Sequence, residues 1–150
     1  MQSARYPDLV REIVTENHYL SLATTDGDEP WVAPVEYAFD EHLNLYFVSL
    51  TTSRHARQLE RNPVVAVAIF DSRQPAFTGK GVQIRGRATK HSDTENPFVT
   101  VAGRSDMSLE LSAYDADYAA FRIEPQEFYL VKGYVEEEWR DERVRVDMTL

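Results

Sequence analysis

The residues best suited to chemistry lie in one short run, residues 49–55, where four hydroxyl side chains precede two basic ones. Ser53 is a good helix N-cap, and Asn62-Pro63 would end a helix that begins there. The unpaired amide groups and the positive dipole at a helix start attract anions. Arg54 adds a permanent cation whose planar fork suits phosphate, and His55 can add another. We therefore predict a phosphate site that includes Ser49. The alternative is an ordinary helix cap followed by a solvated basic turn.

Competing chemistries have weaker support. The four histidines show no metal-ligand spacing and the chain has no cysteine, so we predict no metal site and no thiol nucleophile. The run Thr-Gly-Lys-Gly at residues 78–81 lacks the spacing and the helix of a P-loop, which favours a flexible turn.

Composition narrows the class of protein. A chain of 150 residues suits one domain, which we expect to span residues 1–150. The 16 basic and 25 acidic residues give a net charge of −9, which argues against nucleic acid and anionic membranes as partners. The N-terminus has no signal-peptide pattern, and no stretch approaches the roughly 20 apolar residues of a membrane span. The absence of cysteine suits a reducing compartment, so we expect a cytoplasmic protein.

The elements that must position the candidate residues are mostly strands. Residues 82–89 alternate cleanly, with Gln83, Arg85 and Arg87 on one face, and the unbroken apolar run at 64–70 predicts a strand buried on both faces. Several antiparallel strands with short helices favour a mainly β fold, a small β-barrel, over a βαβ sheet. We predict helices at 7–16, from Ser53 through Asn62, and once or twice between residues 92 and 120, and strands at 19–25, 31–39, 43–49, 64–70, 82–89, 121–124 and 128–131.

The order and spacing of four motifs resemble a known family. The motifs are Trp-Val-Ala-Pro-Val at 31–35, Leu-Tyr-Phe-Val-Ser at 45–49, Ser-Arg-His-Ala-Arg-Gln-Leu-Glu-Arg-Asn-Pro at 53–63 and Gly-Val-Gln-Ile-Arg-Gly-Arg-Ala at 81–88. Together they resemble the FMN-binding split barrels related to pyridoxamine 5'-phosphate oxidase, over about residues 8–89.

This resemblance implies a homodimer with FMN bound at the subunit interface. By position in the motifs, Ser49 would meet the flavin or its ribityl chain, and Ser53, Arg54 and His55 would hold the phosphate. The family commonly has a lysine where His55 stands. The resemblance therefore implies a phosphate site that is weaker or more dependent on pH than is usual in the family.

The same resemblance also places the flavin ring. The backbone around Val35 and Glu36 would face the isoalloxazine, and Gln83 lies in a strand that often supplies a cofactor contact, which the partner chain could provide. True pyridoxamine-phosphate oxidases carry an arginine and a histidine for their substrate after a late strand, at positions that hold Val135 and Glu137 here. We therefore do not expect this chain to oxidise pyridoxamine phosphate.

The function that the resemblance implies is that of an FMN-dependent oxidoreductase, which moves a hydride or electrons between a donor and an unknown small-molecule substrate. In such enzymes the flavin supplies the reactivity and the protein supplies orientation, so we name no catalytic side chain. Two alternatives stay open: a non-catalytic flavin-binding or sensing protein, and the same barrel with deazaflavin F420 or heme in place of FMN.

Overall fold

The computed structural model describes residues 3–91, 117–135 and 138–149. The region where we expected one or two further helices, residues 92–120, lies almost entirely outside this part. In chain order the described elements are α1 (Tyr6–Glu16), β1 (Tyr19–Asp26), β2 (Glu29–Glu36), β3 (Ala38–Phe39), β4 (Leu45–Leu50), α2 (Arg54–Arg61), β5 (Val64–Phe70), β6 (Gly81–Lys90), β7 (Tyr118–Val135) and β8 (Glu138–Val146).

The strands form one antiparallel sheet in the order β2-β1-β5-β6-β7-β4-β3, with β8 paired to β7. Strand β7 is long enough to pair along one edge with β4 at its start and with β8 at its end. Strands β2 and β3 lie at opposite ends of the order, yet only Tyr37 separates them in the chain. The sheet must therefore curl back on itself, which confirms the predicted mainly β split barrel with short helices.

The break at Tyr37 corrects the single strand that we predicted over residues 31–39. The backbone amide of Tyr37 donates to the His18 carbonyl at 3.1 Å, and its buried hydroxyl donates to the Val14 carbonyl at 2.6 Å. These bonds fix the point at which the chain leaves β1 and joins β4. The alternation of apolar and polar residues could not predict this break, because Tyr37 is buried at the same two-residue spacing as Val35.

The turn between β3 and β4 is organised by the Asp40 carboxylate. Its Oδ1 accepts the backbone amides of His42 and Asn44 at 2.9 Å each, and its Oδ2 accepts the Tyr46 hydroxyl at 3.0 Å. Leu43 sits in this turn with a φ of 60°, so β4 begins at Leu45 and not at the predicted residue 43.

The inner face of the sheet and both helices share one hydrophobic core. Alternate residues of the strands point inward, and α2 adds Ala56 and Leu59. The Phe47 and Phe121 rings stack with their centroids 5.1 Å apart, across the paired strands β4 and β7. The largest side chains that are fully buried in this core include Tyr37, Phe47, Leu20, Leu22, Leu45 and Ile69.

The unbroken apolar sequence of β5 predicts burial on both faces. In the structure only one face of the strand is buried. Val65, Val67 and Ile69 are buried, but Ala66 is exposed and the side chain of Phe70 is 52% exposed. The reason is that both described helices pack into the core on the inner side of the sheet, so the outer side of β5 has no helix over it in the described part of the chain.

The C-terminal third differs most from the sequence prediction. The two short strands expected at 121–124 and 128–131 are parts of the single strand β7, and β8 was not predicted. The sequence of β8, Glu-Trp-Arg-Asp-Glu-Arg-Val-Arg-Val, is too charged to signal a strand. Of the two positions at which the family resemblance would require an arginine and a histidine, Val135 ends β7, and Glu137 lies outside the described residues.

Gly86 marks a close approach of β6 to β7. The pairing register shifts between Arg85 and Gly86, and a Cβ built on Gly86 would lie 2.5 Å from the Glu124 carbonyl oxygen. No side chain fits this gap without moving backbone.

We expect the change Gly86→Ala to lower the free energy of unfolding by about 1–3 kcal/mol, the usual cost of overpacking. Gly79→Ala is the control, because a Cβ on Gly79 would meet nothing within 4 Å. We expect that variant to stay within about 0.5 kcal/mol of the wild type. Urea unfolding followed by circular dichroism measures both, and equal stability of the two variants would contradict the close approach.

Candidate functional site

The candidate site begins where β4 ends and α2 starts, as the sequence predicted. Ser53 caps α2: its Oγ accepts the Ala56 amide at 3.2 Å, and its own amide donates to the Leu50 carbonyl at 3.1 Å. Helix α2 then ends at Arg61, before Asn62. The short turn at residues 51–53 therefore brings the last residues of β4 beside the first turn of α2.

Three of the predicted site residues meet at this turn. The Ser49 Oγ lies 2.7 Å from His55 Nε2 and 3.1 Å from Ser53 Oγ. Ser49 is buried, whereas His55 is half-buried, so the cluster reaches from the protein interior to its surface. Hydroxyl groups and an imidazole within hydrogen-bond reach of each other can hold an anion or transfer a proton.

Burial lowers the pKa of His55 below its ordinary value of 6.5. The ring also lies against Phe47, with 6.2 Å between the ring centroids. The neutral imidazole therefore predominates at neutral pH, and its Nε2 can then accept the hydroxyl proton of Ser49. A cationic His55 needs either a lower pH or a nearby anion.

Arg54 is placed differently from its neighbours. Its guanidinium carbon lies 4.5 Å from the centroid of the Trp31 ring, and one guanidinium nitrogen lies 3.5 Å from a carboxylate oxygen of Glu29. The side chain of Arg54 is half exposed. Arg54, the cation that we predicted would bind the phosphate, is thus held by residues of β2 in this structure. It forms no hydrogen bond with Ser49, Ser53 or His55 among the described contacts.

The remaining predicted residues lie on the sheet. Val35 is buried on the inner face of β2, and Glu36 beside it is exposed. Gln83 is exposed on the outer face of β6, directly opposite Ala68 of β5 and Tyr129 of β7. No described hydrogen bond joins Gln83 to the cluster of Ser49, Ser53 and His55. The structure therefore brings together Ser49, Ser53 and His55, and it does not bring Val35, Glu36 or Gln83 into contact with them.

The outer face beside Gln83 is mostly apolar across β1, β2 and β5, with Ser21 as a polar residue among small and apolar ones. Ala68 pairs with Ser21 of β1, and Ser21 pairs with Pro34 of β2, so small residues line one row across the sheet. The side chain of Val32 is 61% exposed on this side. We use the term apolar outer face for the set Ala23, Val32, Pro34, Ala66, Ala68 and Phe70.

Sequence reasoning missed the residues that attach α2 to the β1–β2 hairpin. Gln58 is buried; its side-chain nitrogen donates to the Glu29 carbonyl at 3.1 Å, and its Oε1 accepts the Thr24 hydroxyl at 2.6 Å. Arg61 pairs with Asp26 on the same hairpin. The one signal was a polar residue at helical spacing among the apolar positions of α2, which the sequence alone does not distinguish from a surface glutamine.

The described residues contain no group of three or more histidine, aspartate or glutamate side chains that could hold a metal ion. A search of the same residues finds no helix that is long and apolar enough to cross a membrane.

Comparison with known proteins identifies related sequences. A sequence model of the pyridoxamine 5'-phosphate oxidase family matches residues 6–132. The UPF0306 protein YE0465 of Yersinia enterocolitica is 29% identical over 86 residues, which are 57% of this chain and 58% of that protein. The match therefore spans less than two thirds of the length of this relative.

Solved structures share the fold at low sequence identity. HutZ, the heme storage protein of Vibrio cholerae, has a TM-score of 0.71 and 22% identity, and the match covers 89% of this chain and 98% of HutZ. A heme binding protein of Mycobacterium smegmatis has a TM-score of 0.73 and 19% identity, over 97% of this chain and 59% of that one. An FAD-binding protein of Mesorhizobium loti has a TM-score of 0.64 and 23% identity, and the match covers 80% of this chain and 87% of that one. At these identities the matches show the fold alone.

The lowered pKa of His55 predicts how stability depends on pH. Because the unfolded chain protonates this residue at 6.5 and the folded chain does so only at lower pH, the unfolded state binds more protons as the pH falls through 6.5. We therefore expect wild-type protein to lose stability on acidification below 6.5 by more than the variant His55→Gln loses. Urea unfolding of both proteins on either side of this pH measures the difference, and parallel pH profiles would contradict it.

Proposed function

Because this chain belongs to the pyridoxamine 5'-phosphate oxidase family, we propose that it binds FMN between two copies of itself and acts as a flavin-dependent oxidoreductase. The observation that carries the proposal is the cluster at the start of α2, where Ser49 Oγ lies 2.7 Å from His55 and 3.1 Å from Ser53. Ser49, which the resemblance assigns to the flavin or its ribityl chain, thus lies beside Ser53 and His55, two of the three residues that it assigns to the phosphate.

The phosphate end of the proposed site combines several donors. Ser49 and Ser53 offer hydroxyl groups, and the first turn of α2 offers backbone amides that the helix itself leaves unpaired. Arg54 adjoins the cap and has a half-exposed side chain, so it can turn towards an anion beside Ser53. An anion there would also favour the protonated form of His55 and raise its pKa from the lowered value.

The ring end of the proposed site is the apolar outer face. A planar flavin ring needs flat, apolar surroundings, and small residues such as Ala68 and Pro34 let a ring lie close to the backbone. Exposed Val32 and Phe70 add apolar area that a second copy of the chain could cover. Gln83 borders this face, where it could donate to a polar edge of the ring.

The proposed chemistry is redox chemistry, which a bound flavin supplies by accepting and releasing a hydride or electrons. The residues of this chain would hold the phosphate, orient the ring and exclude water from one of its faces. Since Val135 and Glu137 stand where pyridoxamine-phosphate oxidases have an arginine and a histidine, we propose a substrate other than pyridoxamine phosphate.

Heme is a second candidate cofactor, because two structures with this fold are a heme storage protein and a heme binding protein. The neutral imidazole of His55 could ligate iron. The FAD-binding structure of the same fold supports the flavin instead. The visible absorption spectrum of the purified protein separates these candidates, since flavin and heme absorb differently. Oxidation of NAD(P)H by the flavin-loaded protein then separates an oxidoreductase from a flavin-binding sensor.

We expect Arg54→Ala to weaken FMN binding by about 10-fold to 150-fold, because a charge-assisted contact contributes roughly 1.5–3 kcal/mol. Riboflavin lacks the phosphate, so it should bind the wild type more weakly than FMN does and be little affected by the substitution. Titration by flavin fluorescence quenching measures both ligands. The matched control is Arg57→Ala, which removes the same charge from an exposed position of α2.

Two results would count against this role of Arg54. Equal losses for FMN and riboflavin would mean that Arg54 supports the ring or the fold and not the phosphate. Equal losses of FMN affinity in Arg54→Ala and Arg57→Ala would mean that only the net charge of α2 matters.

We also expect the wild type to be a dimer and Phe70→Glu to be a folded monomer, because the substitution places a charge on the apolar outer face. Light scattering measures the mass, and circular dichroism verifies that the variant is folded. Leu50→Glu is the control, since Leu50 is 40% exposed but lies on β4, outside the apolar outer face. A wild-type monomer that binds flavin at micromolar concentration would refute the proposed dimer.

A further inference from the structure

Each side chain predicted to hold a phosphate already has a partner within the protein. Ser49 pairs with His55 at 2.7 Å, and Ser53 accepts the Ala56 amide at 3.2 Å. These two contacts stay among the end of β4, the turn and α2. Arg54 alone is drawn out of the cluster, towards Glu29 and Trp31 of a different element, β2.

The partner of Arg54 is itself an anion. A carboxylate and a phosphate offer the guanidinium fork similar pairs of oxygen atoms, so the two compete for the same donors. The Glu29 carboxylate thus occupies a guanidinium nitrogen of Arg54 that a phosphate oxygen could otherwise accept from. The Trp31 ring covers a face of the Arg54 guanidinium. Glu29 and Trp31 lie two positions apart on β2, on the same face of the strand, so both can hold Arg54 at once.

The position of Glu29 is set by buried contacts. Its backbone carbonyl accepts the Gln58 side chain at 3.1 Å, and Gln58 in turn accepts the Thr24 hydroxyl at 2.6 Å. Gln58 and Thr24 are both buried, so this part of the hairpin is fixed against α2. The Glu29 and Arg54 side chains are instead 72% and 50% exposed, which leaves both free to change rotamer.

From this arrangement we infer that Glu29 is an internal competitor for the phosphate site: together with Trp31 it holds Arg54 away from Ser49 and Ser53, and so lowers the affinity for phosphate-bearing ligands. The inference rests on the proposed phosphate site. Ligand binding would move the Arg54 guanidinium off the indole and away from the carboxylate, and the buried contacts of Gln58 would stay in place. Glu29 and Trp31 would then determine affinity without touching the ligand.

The test compares Glu29→Gln with Asp28→Asn. Both remove one negative charge from the same hairpin, but Asp28 forms no ion pair among the described residues. We expect Glu29→Gln to bind FMN and inorganic phosphate about 2-fold to 5-fold more tightly than the wild type, the range of an exposed ion pair. Asp28→Asn should change the affinity much less, and neither variant should change riboflavin binding.

A second measurement follows the arginine itself. The chain has two tryptophans, so Trp139→Phe leaves Trp31 as the single reporter. Inorganic phosphate, unlike a flavin, does not absorb at the wavelengths at which tryptophan is excited and emits. Titration with phosphate should change the Trp31 emission as the guanidinium leaves the ring. Adding Arg54→Ala to the same background should abolish this change.

The outcomes separate the inference from the proposed function. A wild type that binds no FMN refutes the flavin proposal, while a phosphate-dependent change in Trp31 emission would still support the competitor. Equal affinities of Glu29→Gln and Asp28→Asn would overturn the inference even if FMN binds. Weaker FMN binding by Glu29→Gln, an equal gain for riboflavin, or a Trp31 emission that phosphate does not alter would also overturn it.

Discussion

Tyr37 alone connects β2 to β3, and this short connection constrains the whole molecule, because the two strands lie at opposite ends of the sheet. The sheet must curl until these ends meet. The Tyr37 hydroxyl then reaches the Val14 carbonyl of α1 at 2.6 Å, which ties the first helix to the point of closure. The curled sheet encloses its inner side chains, and α2 contributes Ala56 and Leu59 to the same core.

The candidate site follows from that closure. Ser49 comes from β4, which is paired on one side to β7 and on the other to β3. The stacked rings of Phe47 and Phe121 fix β4 against β7 two residues before Ser49. A rigid strand thus supplies Ser49, while a capped helix supplies Ser53 and His55. The buried Gln58 holds that helix against the β1–β2 hairpin, so the helix that carries His55 is also fixed to a second part of the sheet.

Local features of the sequence predicted what local interactions determine. The start of α2 follows from Ser53 and its end from Asn62-Pro63, and the alternation of β6 places Gln83 outward and Ile84 inward. These features depend on residues a few positions apart. The meeting of Ser49, Ser53 and His55 was also predictable, because a short turn joins β4 to α2.

Features that depend on distant residues could not be predicted. The break at Tyr37 requires the carbonyl of Val14, and the exposed face of β5 depends on which elements cover it. The direction of Arg54 depends on Glu29 and Trp31, which precede it by more than twenty residues. Strand β8 forms from a highly charged segment because β7 offers it an unpaired edge. In each case the deciding partner comes from elsewhere in the chain.

The short path from β2 to β4 has a geometric consequence. Val35 and Glu36 end β2, Ser49 lies near the end of β4, and between them are Tyr37, the two residues of β3 and a turn held rigid by Asp40. Residues 37–44 alone join the strand that carries Val35 and Glu36 to the strand that carries Ser49. Any change in the separation of these two strands would have to be absorbed within this connection, whose turn is hydrogen-bonded to the Asp40 carboxylate.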